Sequence, residues 1–213
     1  MNVRAARSAL VIAALPLLFA GCASVQPATV SREGAVVVPA DVKHAYYAAI
    51  DFTGRLSVHY QGPRNEEALH GSFLWAQTLT QTSVTLLSPL GQTIAIIDVT
   101  PDGASLRQGG QATRQASDVD ALTVQTLGWP LPVAGLRDWL QGFAVNAQGQ
   151  RFVATPQTSE VTTRDGWHIR YDNWQEDNTS GSQNRPKRID LSRYTEQAGD
   201  VSIRIVIDSW QAH

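Results

Sequence analysis

From Phe52 to Tyr60 the chain alternates: Phe52, Gly54, Leu56, Val58 and Tyr60 are apolar or small, and Thr53, Arg55, Ser57 and His59 between them are polar. A period of two is that of a strand with one buried face. The pattern returns in Leu69, Gly71, Phe73 and Trp75, in Trp167, Ile169 and Tyr171, and in Val201, Ile203, Ile205 and Ile207. Val84 to Val99 reads as two apolar strands joined around Ser88-Pro89-Leu90-Gly91. Pro101-Asp102-Gly103, Asp165-Gly166 and Ala198-Gly199-Asp200 are turn signals between strands, and Glu176–Pro186 reads as a polar loop. Successive antiparallel strands, each with one apolar face, predict a mainly β fold whose strongly curved sheet wraps around something.

Helical punctuation interrupts this rhythm at two places. Asp41 is placed to cap a short helix with Val42, Ala45, Tyr46 and Ala49 on one face. In mid-chain, Ser117 is placed to cap a helix with Asp120 as its capping-box acid, and Gly128 and Pro130 end it. Pro132 opens a second helix with Val133, Leu136, Trp139 and Leu140 on one face, closed by Gly142. Two short apolar helices cannot stand alone, so their faces must lie against the strands as a cover. Such a cover either completes an ordinary core or roofs an apolar cavity. Trp129, between Gly128 and Pro130 in the hinge, favours a movable lid. On that reading Leu127, Trp129, Leu131, Leu136, Trp139 and Leu140 line the lid side, with Phe73, Trp75 and Leu87 on the barrel side.

Leu90 breaks the expected chemistry of a turn. Ser88, Pro89 and Gly91 suit a hairpin tip, but an exposed leucine there forgoes roughly 1.5–3 kcal/mol of burial. Either it folds back onto the sheet or it meets something apolar outside the protein.

The beginning of the chain offers a candidate. Arg4 and Arg7 precede an apolar run from Ala9 to Phe19, and Ala20-Gly21-Cys22 follows. This has the form of a secretory leader, and the run falls short of the ~18 residues of a spanning helix. Phe19-Ala20-Gly21-Cys22 resembles the lipobox of bacterial lipoproteins, with Phe19 where leucine is usual. That resemblance implies cleavage before Cys22 and acylation of its sulfur and nitrogen. Ala23 in place of Asp implies, by the sorting rule of enteric lipoproteins, the outer membrane. Two or more acyl chains anchor stably where one does not. The expected organisation is a removed leader at 1–21, an acylated cysteine with a flexible tether at 22–40, and a single domain at 41–213. As a coil the tether would span roughly 20–25 Å.

Composition narrows the function. The 213 residues are 43% hydrophobic and 17% charged, as in a folded protein. Net charge is −2 for the whole chain, with no basic stripe, which argues against a nucleic-acid partner. Cys22 is the lone cysteine, so no intramolecular disulfide can form. The five histidines lack metal-ligand spacing, and no nucleophile elbow or Walker motif is present. Asp118 and Asp120 read as first-turn acids of a helix. No catalytic residue, metal or cofactor is expected beyond the lipid on Cys22.

Together these pieces resemble the LolB family of outer-membrane lipoprotein receptors. The resemblance rests on the leader with Cys22, Phe52-Thr53-Gly54-Arg55, Phe73-Leu74-Trp75, Ser88-Pro89-Leu90-Gly91, Leu127-Gly128-Trp129-Pro130-Leu131-Pro132, Leu136-Arg137-Asp138-Trp139-Leu140-Gln141-Gly142 and Trp210. It implies a half-open curved antiparallel β-barrel, closed by short α-helices that form a lid over an apolar cavity for acyl chains. It further implies that a soluble periplasmic LolA-like carrier hands over acylated lipoproteins, which pass into the outer membrane. Pro89, Leu90 and Gly91 would form the membrane-insertion loop, and the receptor is expected to be a monomer without nucleotide. The competing readings are an envelope lipoprotein with a solid core and no ligand, and a periplasm-facing hydrolase.

Overall fold

A computed structural model describes residues 45–177 and 183–213. The leader, Cys22, the tether and Asp41 to His44 lie outside the described residues. Twelve strands and two helices are seen in this part of the chain. They are β1 (Ile50–Gln61), β2 (Glu66–Gln77), β3 (Thr82–Leu87), β4 (Thr93–Thr100), β5 (Gly103–Gln108), β6 (Arg114–Ala116), α1 (Val119–Leu127), α2 (Val133–Trp139), β7 (Phe143–Val145), β8 (Arg151–Val153), β9 (Glu160–Thr162), β10 (His168–Asp177), β11 (Gln183–Thr195) and β12 (Gly199–Ala212).

Ten of the strands form one antiparallel sheet in the order β6-β5-β4-β3-β2-β1-β12-β11-β10-β9. The first and last long strands are neighbours at its centre, with Leu56 opposite Ile205 and Val58 opposite Ile203. Among the described residues no ladder joins β6 to β9, so the sheet curves without closing. The segment between those two edge strands carries α1, α2 and the β7–β8 hairpin, and α1 lies against β5 and β6. This is the mainly β, half-open sheet with helices across its opening that the sequence predicts.

Alternation sorts the residues as expected. Phe52, Leu56, Val58, Phe73, Trp75, Trp167, Ile169, Tyr171, Val201, Ile203, Ile205 and Ile207 are all buried on the inner face. Gly54 lies opposite Phe73, where a Cβ would stand 2.6 Å from the phenylalanine ring and 2.3 Å from the Val206 carbonyl. The close approach of strand and ring therefore requires glycine. The buried core lies between Ile50 and Ile207 and packs against itself. The described residues thus supply a hydrophobic core of their own.

Four local expectations are corrected. Residues 45–49 are not helical. Gln141 takes the Tyr47 backbone through both its amide atoms, and the His213 N–H donates to the Ala49 carbonyl, so these groups are unavailable to a helix. The cap of α1 is Asp118 and not Ser117: the Asp118 carboxylate accepts from the Ala121 N–H at 2.9 Å. A carboxylate suits the positive helix end. Of the expected loop Glu176–Pro186, both ends are ladder, with Glu176 opposite Asn184 and Trp174 opposite Pro186, and 178–182 lie outside the described residues. Leu87 is off the inner face. Starting from buried Thr82 and Val84, alternation turns Leu86 inward and Leu87 outward, and the register shifts at that step.

Candidate functional site: the lid and the apolar cleft

Each helix ends where its sequence stops it. Gly128 has φ 84° and donates its N–H to the Val124 carbonyl, closing α1. Gly142, at φ 81°, donates to Trp139 and ends the turn after α2. Between them, the fully buried Thr123 hydroxyl accepts from the Leu131 N–H at 3.1 Å and donates to the Asp120 carbonyl at 2.8 Å. This hydroxyl folds the Gly128–Pro132 hinge back onto α1. The Asp120 carboxylate accepts from the Ala134 N–H at 3.2 Å and so joins α1 to the start of α2. Burial pushes the Asp120 carboxyl up to about 6; the Ala134 N–H opposes that shift, and the charges of Asp118 and Asp165 add to it.

A second set of bonds ties the lid to the sheet. Arg137, on α2, donates to the buried Thr82 hydroxyl and to the Thr78 carbonyl, gripping the β2–β3 turn. Gln141, one turn further on, holds the Tyr47 backbone. Aromatic contacts add to these. Trp129 lies over Tyr60 with ring centroids 6.5 Å apart, and Trp139 meets Trp167 edge-on at 6.3 Å. Each such pair contributes about 0.5–1.5 kcal/mol beyond burial.

Beneath the lid is a cleft lined by Leu56, Phe73, Trp75, Val84, Leu86, Ile203 and Ile205 from the sheet, and by Leu131, Leu136 and Leu140 from the lid. Every lining side chain is apolar. The free volume is about 20 Å³, near the ~10–15 Å³ that one water requires. With the lid down, the cleft has no room for an acyl chain. Elsewhere among the described residues, the buried Tyr171 Oη and Thr126 Oγ1 lack a hydrogen-bond partner. An orphaned group of this kind costs about 1–3 kcal/mol.

The residues expected at the site divide accordingly. Phe73, Trp75, Leu131, Leu136 and Leu140 meet in the cleft. Trp129 and Trp139 are buried beside it, in the aromatic contacts, and Leu127 is half-buried at the end of α1. Leu87 is excluded, and Leu86 takes its place. Pro89, Leu90 and Gly91 form the tip between β3 and β4, where Leu90 is 88% exposed. Ser88 accepts from Gly91 and Gln92, and Gly91 adopts φ 79°, so this tip is a built turn and Leu90 does not fold back.

Sequence reasoning gave no role to Arg137, Thr123 or Leu79. Arg137 carried a signal, as the one cation within the apolar helix α2. Leu79, 78% exposed in the β2–β3 turn that Arg137 grips, could have been found as Leu90 was, by its place in a polar turn. His59 and His168 lie exposed on the outer face. Among the described residues no cluster of histidine, cysteine and carboxylate side chains could hold a metal, and no helix is long and apolar enough to cross a membrane.

The sequence profile described as "Outer membrane lipoprotein LolB" matches residues 48–210, spanning the sheet, lid and tip. The chain belongs to the LolB family. It is 38% identical over 208 residues to the outer-membrane lipoprotein LolB of Cupriavidus taiwanensis, covering 96% of this chain and 97% of that one. To the LolB of Thiobacillus denitrificans it is 37% identical over 205 residues, covering 95% and 96%. The LolB of Chromobacterium violaceum is 30% identical over 197 residues. Among solved structures, a LolA superfamily protein from Nitrosomonas europaea covers 76% of this chain and 86% of its own, with 11% identity and a TM-score of 0.45.

Proposed function

We propose that this protein is an outer-membrane-anchored receptor that accepts acylated lipoproteins from a soluble LolA-like carrier and delivers them to the outer membrane. Family membership supports the setting, and the all-apolar cleft under a two-helix lid is the observation that carries the chemistry. The leader is removed, Cys22 is acylated, and the segment to Ala40 tethers the domain to the bilayer.

An acyl chain of about sixteen carbons would cost on the order of 12 kcal/mol to expose to water. Cargo therefore passes between adjoining mouths and not through solution. No covalent step and no nucleotide are involved, so direction comes from affinity, with carrier weaker, receptor tighter and bilayer tighter still. Because the closed cleft holds only about 20 Å³, α1 and α2 must swing off the sheet to admit a chain. The bonds of Arg137 to the β2–β3 turn are those that yield. Leu90 then enters the bilayer and brings the open cleft to it.

The small free volume favours a second reading, a solid-core envelope protein that binds nothing. One experiment separates the two. The domain from Ala23 onward is mixed with carrier preloaded with an acylated lipoprotein, and a pull-down identifies the holder of the cargo at equilibrium. Cargo on this domain supports the receptor. Cargo left on the carrier, with this domain folded, supports the solid core.

A further inference from the structure

The β3–β4 tip has a second surface besides Leu90. On the outer face of the sheet, Pro89 walls a groove of about 470 Å³ lined by Arg55 and Ser57 of β1, His70 and Ser72 of β2, and Arg204 of β12. The ladder brings these residues together: Ser57 stands between His70 and Arg204, and Arg55 stands opposite Ser72. None of the groove's lining residues is acidic. Outside the lining, Asp208 accepts from Nε and Nη2 of Arg55, and Asp190 accepts from Nε of Arg204, so both guanidinium groups are held in place. Each side chain is more than half exposed, and a guanidinium has N–H donors beyond those bonds.

Guanidinium, imidazole and hydroxyl donors with no carboxylate among them suit an oxyanion. The wall decides which one. Leu90 follows Pro89 directly, its Cα about 3.8 Å on, and the headgroup layer outside the hydrocarbon is about 5–8 Å deep. With Leu90 in the hydrocarbon, Pro89 and the groove it walls stand at the level of the lipid phosphates. We propose that this groove takes the phosphate of a phospholipid headgroup through Arg55 and Arg204, so that the tip holds the bilayer surface by charge while Leu90 enters it. This rests on the receptor reading and names the lipid class to which the tip delivers.

The test uses the chain from residue 22 onward with Cys22→Ala, so that no acyl anchor masks the contact. It is floated with vesicles of phosphatidylethanolamine and phosphatidylglycerol, or of digalactosyldiacylglycerol, which carries no phosphate. The phospholipid should be bound about tenfold more tightly, below the roughly thirtyfold of two free cations because each arginine is already paired with an aspartate. Adding Arg55→Gln and Arg204→Gln should reduce phospholipid binding to the glycolipid level. Adding Arg107→Gln and Arg170→Gln instead, which removes the same charge and two aspartate pairs away from the groove, should keep the preference. Should the first pair lower the melting temperature, Ser57→Glu places a carboxylate in the groove with both arginines intact and should abolish the preference alone. Equal binding of the two vesicles, a preference that survives in the groove variants, or an equal loss in the control pair overturns the site. Transfer of cargo from loaded carrier is followed with the same proteins. Cargo accepted without a phospholipid preference overturns the groove and leaves the receptor standing, whereas a folded chain that accepts no cargo overturns the receptor whatever its vesicle binding. Groove variants that keep the preference but lose acceptance give this surface to the carrier and overturn the proposal.

Discussion

Arg137 Nη1 lies 2.7 Å from the hydroxyl of Thr82, a residue with no exposed surface at the start of β3. The bond fastens α2 to the sheet. Replacing Arg137 with Ala orphans that hydroxyl, and should cost about 1–3 kcal/mol of stability. Hydrogen exchange should accelerate in α2 more than in β1 or β12. Adding Thr82→Val should restore part of the loss, because neither partner then remains unsatisfied. Equal protection of α2 in Arg137→Ala and the wild type would remove Arg137 from the latch.

The α1–α2 joint at Asp120 is pH-dependent. Burial raises its carboxyl from 3.8 to about 6 in the folded protein. The folded state therefore holds this proton more tightly than the unfolded chain. The stability this contributes is complete below about pH 4 and is lost as pH rises through about 6. Two units correspond to about 3 kcal/mol at most, which partial exposure reduces to about 1 kcal/mol. Asp120→Asn can still accept from Ala134 and should be more stable than the wild type by that amount at pH 7. Urea midpoints from pH 4 to pH 7 should show the difference growing to pH 6 and then levelling. A difference independent of pH would refute the assignment.

Leu90 is 88% exposed, so Leu90→Glu should leave the stability within about 0.5 kcal/mol of the wild type. Acceptance of cargo from the carrier should persist, and release into phospholipid vesicles should fall. Should acceptance and release fall together, the tip belongs to the carrier contact and not to the bilayer.

Gly135 sits beneath Trp139, where a Cβ would come within 2.4 Å of the indole ring. That ring is buried against Trp167 and has little room to retreat. Gly135→Ala should cost about 1–3 kcal/mol through overpacking, with a change in tryptophan emission. An unchanged midpoint and spectrum would mean that the indole moves aside freely.

Period-two alternation made the inner face of the long strands legible, because each large apolar side chain there has a polar neighbour on the water side. Leu86 and Leu87 show where that signal fails. Two adjacent leucines carry no parity of their own, and only counting from Val84 assigns them. The three-residue strands β6 to β9 are too short to show a period. The helix ends at Gly128 and Gly142 were readable, since left-handed backbone leaves a strong preference for glycine. The cap was one residue off because Ser117 and Asp118 both suit that position. The cleft could be placed, but its volume could not be read, since free space depends on how side chains from four strands and the lid meet. Tyr171 appeared in the alternation as one more inward ring, and only its missing partner distinguishes it.

The central β1–β12 pair sets the order in which the molecule can form. Thr53 and Ser209, which share a hydrogen bond across that pair, are 156 residues apart in the chain. Contacts this remote slow folding, because a long loop must close before they contribute. Until β12 is available, β1 lacks one neighbour and the inner face has no centre. A chain still crossing a membrane from its N-terminus would therefore remain threadable until its last strand had emerged.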